Sequence, residues 1–201
     1  MPDTHRIVLD TSCFTNPTVA KSLGGDTTAA VNRFLELARL LRGRVGFYMP
    51  PSVLAELQHF TDTARLAPDL ELVVQLRAPR RHAVMVPGGF LYELIDDIRA
   101  RIDRGLRVAE SAVREVEPAS VERTIARLRE RYRGALRTGL LDSSEDVDVI
   151  LLAMELDGAV ASADQGLSRW AERLGLRLIP PERLAPMLEA LVEDALAADQ
   201  R

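Results

Sequence analysis

The chain reads as an α/β protein of three layers, with a central parallel sheet between two sets of helices, an inserted helical hairpin and an amphipathic C-terminal helix. Three observations predict this. Short apolar runs alternate with stretches whose apolar residues recur every three or four positions, the rhythm of βα units. Almost fifty residues from Phe90 to Thr138 carry no strand signal, and the last run, from Leu184 to Ala195, keeps helical spacing throughout.

Taken in order, Ile7-Val8-Leu9 is a short buried strand that ends at Asp10 and opens into the polar loop Thr11-Ser12-Cys13-Phe14-Thr15-Asn16-Pro17. Val31, Phe34, Leu35, Ala38 and Leu41 mark a crossover helix between Asp26 and Arg42, with Gly43 as its stop. Val45 to Met49 is the second strand. Pro50-Pro51-Ser52 then opens a helix with Val53, Leu54, Leu57 and Phe60 on its buried side and Glu56 near its start. A short helix is expected around Asp69 to Leu76, and Ala83-Val84-Met85-Val86 reads as a third strand closed by Pro87-Gly88-Gly89.

The stretch 90–138 predicts a hairpin inserted into a single domain spanning 1–201. Ile95, Ile98, Ile102, Leu106, Ala109, Val113 and Val116 line one arm. Val121, Ile125, Leu128, Tyr132 and Ala135 line the other, with Pro118 between them. Between Arg99 and Arg137 the local charge is +5, and the rest of the chain carries −9. Arg123, Arg127 and Arg131 fall at four-residue steps, as do Arg129, Arg133 and Arg137, so the second arm carries basic stripes. Those stripes suit either RNA phosphates or a solvated helix face with its own ion pairs.

Beyond the hairpin, Asp142, Glu145, Asp146 and Asp148 crowd into seven residues that lead into an apolar helical pattern. Ser143-x-x-Asp146, or Asp142-x-x-Glu145, reads as a capping box, which puts the cluster in a helix's first turn. Ala159-Val160-Ala161 is then a small strand that delivers Ser162-Ala163-Asp164. Leu167, Trp170, Ala171 and Leu174 mark a helix, and Leu176 to Ile179 is the fifth strand before Pro180-Pro181 and the final helix. The apolar face of that last helix needs cover, for which a neighbouring subunit is a candidate.

Composition narrows the chemistry. With 201 residues, 47% of them hydrophobic, there is material for one sizeable core. Cys13 is the only cysteine and there are three scattered histidines, so no zinc-type ligand set exists and any metal must be held by oxygen. No run approaches the ~18 apolar residues of a membrane span. A soluble, cytoplasmic protein is expected. The segment after the first strand has no glycine, which excludes a dinucleotide fingerprint, and no Walker loop is present. Lys21, the sole lysine, is poorly placed for a phosphoaspartyl site.

Ligands of parallel α/β sheets bind beyond the carboxyl ends of the strands. Asp10 and Asp164 follow two such ends. A helix returning to the strand at Ala159 must start at the same edge, which brings Asp142 and Asp146 there too. Gathered carboxylates raise one another's pKa unless a cation offsets them, so the convergence implies a bound ion, with Mg²⁺ or Mn²⁺ best suited to an all-oxygen site. Such a site supports phosphodiester hydrolysis without a side-chain nucleophile.

Asp10 after an apolar strand, Glu56 in Pro-Pro-Ser-Val-Leu-Ala-Glu, the cluster from Asp142 to Asp146, and Ser162-Ala163-Asp164 together resemble the PIN-domain nucleases. The match narrows with Asp10-Thr11-Ser12-Cys13-Phe14-Thr15-Asn16-Pro17, the basic hairpin, and Asp142-Ser143-Ser144-Glu145-Asp146-Val147-Asp148. These resemble the protein-only ribonuclease P family called HARP, the homologs of Aquifex RNase P. The resemblance implies a PIN-like fold, removal of the 5′ leader from precursor tRNA, and catalytic metals held by Asp10, Asp142, Asp146 and Asp164, with Glu56 as a further candidate ligand. It also implies that the hairpin grips tRNA, Arg123, Arg127, Arg129, Arg131, Arg133 and Arg137 being the candidates, and helps build a high-order homo-oligomer. A toxin-type PIN ribonuclease and a catalytically inactive PIN-like RNA-binding protein are the alternatives. Glu145 and Asp148 read as local helix electrostatics or outer-shell support, and Thr11, Ser12, Thr15, Asn16 and Ser162 as phosphate-positioning or turn-satisfying groups.

Overall fold

A computed structural model describes residues 5–61, 69–115, 121–136, 141 and 143–199. The chain forms two compact units, one from Met1–Met85 with Ser143–Arg201 and one from Val86–Asp142. Its strands are β1 (His5–Leu9), β2 (Val45–Met49), β3 (Val74–Leu76), β4 (Ala159–Ala161) and β5 (Arg177–Ile179). Its helices are α1 (Ser12–Thr15), α2 (Pro17–Leu23), α3 (Thr27–Leu40), α4 (Pro51–Leu57), α5 (Gly88–Arg114), α6 (Val121–Leu136), α7 (Ser144–Leu156), α8 (Gln165–Arg173) and α9 (Pro181–Asp199).

The first unit is built on a five-stranded sheet of order β3-β2-β1-β4-β5, parallel throughout. Ile7 of the central strand is opposite Phe47 on one side and Ala159 on the other. Ile7, Val8 and Leu9 are all buried, as a parallel strand covered on both faces requires. One set of helices, α1, α2, α3 and α9, packs together; α7 packs on β1, β4, α4 and α8. The result is a three-layer α/β/α fold.

Local chemistry starts two of the helices on this face. Asn16 caps α2 by accepting from the Thr18 N–H at 2.9 Å, with Pro17 in the first turn, and Asp26 caps α3 through the Ala29 N–H at 2.8 Å. Phe34 of α3 then meets Phe14 and Phe47 edge to face, with centroids 5.4 and 5.1 Å apart. This aromatic row joins α1, α3 and β2. At the other end of the sheet α7 stops at Asp157, which is left-handed with φ 48°. A Cβ on the next residue, Gly158, would come within 3.1 Å of the Arg6 carbonyl, so a glycine lets β4 begin directly beside β1.

Four expectations need correction. The third strand is Val74–Leu76, and residues 83–86 form no strand. The expected helix over Asp69–Leu76 stops at residue 73. Leu70, Leu72, Val73 and Leu76 suit either period, and pairing decides: Val74 lies opposite Phe47 and is buried, whereas Met85 is among the most exposed apolar residues. The loop after Asp10 is helical, forming α1 and α2. Finally, α9 finds much of its cover within the chain, because Leu184, Ala185, Leu188, Val192 and Ala195 are buried and the helix packs on α2 and α3.

In the second unit α5 and α6 pack as a hairpin, with Ala112 and Thr124 buried between them. Gly105 admits Tyr132, whose ring would stand 2.7 Å from a Cβ placed there. Glu115 accepts from Ser111 and Arg131, bonds that hold its carboxyl below the usual range and tie the arms near the bend. Leu91, Ile95, Ile98, Ile102, Leu106 and Val113 of α5 remain exposed. No described helix is long and apolar enough to cross a membrane.

Phe34→Ala is expected to lower unfolding free energy by ~3–5 kcal/mol, since it removes both aromatic contacts and leaves a cavity. Denaturant titration of the purified protein measures it.

Candidate active site at the carboxyl edge of the sheet

Asp10 leaves β1 at the edge where all five strands end, and its N–H still bonds the Ala161 carbonyl at 3.1 Å. The β ladder therefore carries the residue into the interior, and its carboxylate is almost fully buried. Two serines receive it. Ser162 Oγ donates to Asp10 Oδ2 at 2.7 Å, Ser12 Oγ makes a very short bond to the same oxygen, and the Ser12 N–H adds a third at 3.3 Å. Each serine oxygen in turn accepts a main-chain N–H of the loop after β4, Ala163 to Ser12 at 2.7 Å and Asp164 to Ser162 at 2.9 Å.

The arrangement is directional. Among the described residues every bond accepted by Asp10 falls on Oδ2, so Oδ1 is left for another partner. Burial pushes the Asp10 carboxyl above its ordinary value, the serine bonds pull it partly back, and the nearby Glu56 charge adds to the rise. Cys13, fully buried beside this site, donates to the Ala161 carbonyl, and burial with the Asp10 charge pushes its thiol far up. It is a packing residue.

Glu56 is brought in from α4. The Thr11 hydroxyl donates to Glu56 Oε2 at 2.7 Å, so the residue after Asp10 ties the two acids' segments together. Asp164 caps α8 through Oδ1, which accepts from the Leu167 N–H at 2.8 Å, and the cap leaves its second oxygen available. Ser143 caps α7 by accepting from the Asp146 N–H at 3.1 Å, the first form of the expected capping box. Asp146 is thereby set in the first turn, mostly buried, on a helix that returns to β4 and so begins at this edge. Asp142 lies outside the described residues, as does Arg137. Among the described residues no three His, Cys, Asp or Glu side chains form a ready metal cluster.

Asp148 is not local helix electrostatics alone. Its buried carboxylate takes a two-pronged pair from Arg81, at 2.9 and 2.6 Å, and a 2.8 Å bond from the Ser52 hydroxyl. One helical turn pair away, Glu155 is bound by Arg77 and Arg80 and by the Arg80 N–H, bonds that lower its carboxyl. None of these three arginines stood out in the sequence. The signal was the run Arg77-Ala78-Pro79-Arg80-Arg81 just after a strand, which was obscured because β3 was expected elsewhere. Glu145 is half-buried and bonded by its neighbour Ser144 at 3.1 Å.

The hairpin arginines Arg123, Arg127, Arg129, Arg131 and Arg133 are exposed on α6. Arg131 is committed to Glu115 at 3.1 Å, with Arg127 4.0 Å from the same carboxylate, and Arg133 donates to the Arg129 carbonyl.

The raised Asp10 value has a pH signature. A carboxyl that titrates higher when folded favours the folded state below the unfolded value near 3.8, and this contribution is lost as pH rises through the folded value. Metal-free wild type should therefore lose stability relative to Asp10→Asn as pH rises across that window, and Asp10→Asn should melt higher at pH 7. Paired thermal melts in EDTA from pH 3 to 7 check it.

Residues 6–193 match the family described as PINc domain ribonuclease. The chain is 47% identical over 190 residues to an RNA-free ribonuclease P of Pyrococcus abyssi, covering 94% of this chain and 93% of that one. It is 48% identical over 189 residues to the protein of that name from Thermococcus onnurineus, at 93% and 95% coverage. It is also 48% identical over 191 residues to that from Nitrosococcus oceani, at 93% and 96% coverage. A parallel α/β/α core, a serine-held aspartate at its carboxyl edge, an inserted basic hairpin and this near-full-length likeness agree: the chain belongs to the PIN-domain ribonucleases, in their RNA-free ribonuclease P branch.

Proposed function

We propose that the protein is a metal-dependent endoribonuclease that removes the 5′ leader of precursor tRNA, leaving a 5′-phosphate on the mature end. The observation that carries this is the likeness to RNA-free ribonuclease P proteins across both units, hairpin included. A toxin-type PIN ribonuclease would not need the hairpin, and a binding-only protein would not need a buried, serine-oriented Asp10.

The residues fit a divalent cation. Asp10 has one oxygen saturated by hydroxyls and one left over, in a site where burial and Glu56 penalise its negative charge; a cation relieves that penalty. Asp10, Asp142, Asp146 and Asp164 are the proposed ligands, with Glu56 beside them, and their all-oxygen character suits Mg²⁺ or Mn²⁺. When bound, the ion supplies Lewis acidity toward water and the scissile phosphodiester. Ser12 and Ser162 hold Asp10 through Oδ2, and their bonds favour its ionised form against the cost of burial. Ser143 and Asp164, as caps, fix the starts of α7 and α8 against the same edge. Buried side chains around them limit rearrangement, so the acids are oriented before substrate arrives.

The hairpin is proposed to grip the tRNA body through phosphate contacts and to join subunits into a homo-oligomer. Exposed arginines at four-residue steps suit a regular A-form backbone and carry no base code. The apolar stripe of α5, and buried guanidinium nitrogens of Arg101 and Arg104 with no partner among the described residues, are features a second subunit would satisfy.

End-labelled precursor tRNA incubated with the protein and Mg²⁺ should be cut at the mature 5′ end. EDTA should abolish the cut, and Asp146→Asn should slow it by at least ~10²-fold while leaving RNA binding intact. Cleavage in the anticodon loop instead would overturn the substrate assignment. Arg123→Ala with Arg127→Ala should raise KM several-fold and flatten its salt dependence by about two charges, read from KM against ionic strength. Ile98→Glu with Ile102→Glu should shift the protein to smaller species on gel filtration.

A further inference from the structure

The loop that follows β3 is held against α7 by three arginines. Arg77 and Arg80 bind Glu155 near the end of that helix, and Arg81 binds Asp148 near its start. The two carboxylates are buried, while the arginines reach them from solvent, with 41%, 70% and 59% of their side chains exposed. Three cations committed to two buried acids are more than a surface loop requires for attachment. Surface ion pairs add little, but a two-pronged pair onto a buried carboxylate fixes geometry, and loss of one partner strands a charge.

What that geometry serves follows from the other bonds of Asp148. Its Oδ2 accepts both from Arg81 and from Ser52 at the start of α4. Ser52 lies one turn before Glu56, and Glu56 accepts from Thr11, the neighbour of Asp10. These hydrogen bonds, joined by one turn of α4 between Ser52 and Glu56, thus link the loop to α7, α4 and the residue after Asp10, the three segments that carry Asp146, Glu56 and Asp10.

We propose that Arg81 is a positioning residue of the metal site, acting through Asp148 and Ser52 to set α7 and α4 so that Asp146 and Glu56 face Asp10. The assignment rests on the metal-site reading above. Asp148 and Arg81 do not touch the ion; Asp148 orients the helices that carry its ligands, and Arg81 keeps Asp148 in the one rotamer that reaches Ser52. Disturbing such outer partners of a metal site weakens metal affinity on the order of 10–100-fold.

The test is Mn²⁺ binding by titration calorimetry without RNA, together with kcat and KM for precursor tRNA, on wild type, Arg81→Gln, Arg81→Lys, Asp148→Asn, the Arg81→Gln/Asp148→Asn double variant and Asp146→Asn. Arg81→Gln and Asp148→Asn should each weaken Mn²⁺ binding ~10-fold or more, with Arg81→Lys intermediate because it keeps the charge but not the fork. The double variant should be no worse than the sum of one loss, since both act on one link. High Mn²⁺ should restore kcat in the Arg81 variants. The proposal is overturned if Arg81→Gln binds Mn²⁺ like wild type while Asp146→Asn does not, whether Arg81→Gln then raises KM, as an RNA contact would, or only lowers the melting temperature. If Asp146→Asn itself binds Mn²⁺ unchanged, the metal-site reading fails and the positioning role falls with it. Arg81→Lys guards against a variant that does not fold.

Discussion

The structure turns on the placement of one carboxylate inside the protein. β1 is covered on both faces, its ladder contact continues through the Asp10 N–H to the Ala161 carbonyl, and the Asp10 side chain is left almost fully buried. Burial of a lone carboxylate costs several kcal/mol unless hydrogen bonds or counter-charge offset it. Ser12 and Ser162 supply the first part. Because both serines direct their proton to the same oxygen, the offset is one-sided, falling on Oδ2 among the described residues. Much of the surrounding architecture exists to make that pair of serines possible. Ser162 reaches Asp10 only because β4 is the immediate neighbour of β1, a pairing entered from α7 through the tight Asp157-Gly158 turn.

The two units solve different physical problems. In the sheet unit Trp170, Phe34 and Phe47 are fully enclosed, and the buried Asp10, Thr11, Asp148 and Ser162 are all hydrogen-bonded. In the hairpin the apolar residues form a narrow stripe that two helices cannot enclose, and the flanking positions are arginine. The charge is separated accordingly, positive over the hairpin and negative over the remainder.

Legibility followed the range of the interactions involved. The strand before Asp10, the helix over Thr27–Leu40 and the cap at Ser143 were all readable, since each depends on neighbours within four residues. The helical turn at α1 was hidden because Ser12 and Thr15 suit a loop as well as a helix start, and the decisive bonds run from Ser12 to Asp10 and Ala163. The third strand was misplaced for a related reason. Val73-Val74-Gln75-Leu76 and Ala83-Val84-Met85-Val86 are similar as strings, and only the open side of β2 distinguishes them. Asp148 read as local helix electrostatics or outer-shell support, and its specific partners, Arg81 and Ser52, are remote in sequence.

Sequence alone determined that this is a parallel α/β protein with a basic hairpin and that Asp10, Asp146 and Asp164 sit where strands end or helices begin, because period, capping and turn chemistry are local properties of the chain. Tertiary structure alone decided which oxygen of Asp10 is saturated, that Glu56 is tied to Thr11, that α9 is covered by α2 and α3, and that Arg81 holds Asp148. Those outcomes depend on partners dozens of residues away, whose distance and direction are set only when the sheet and its crossovers close.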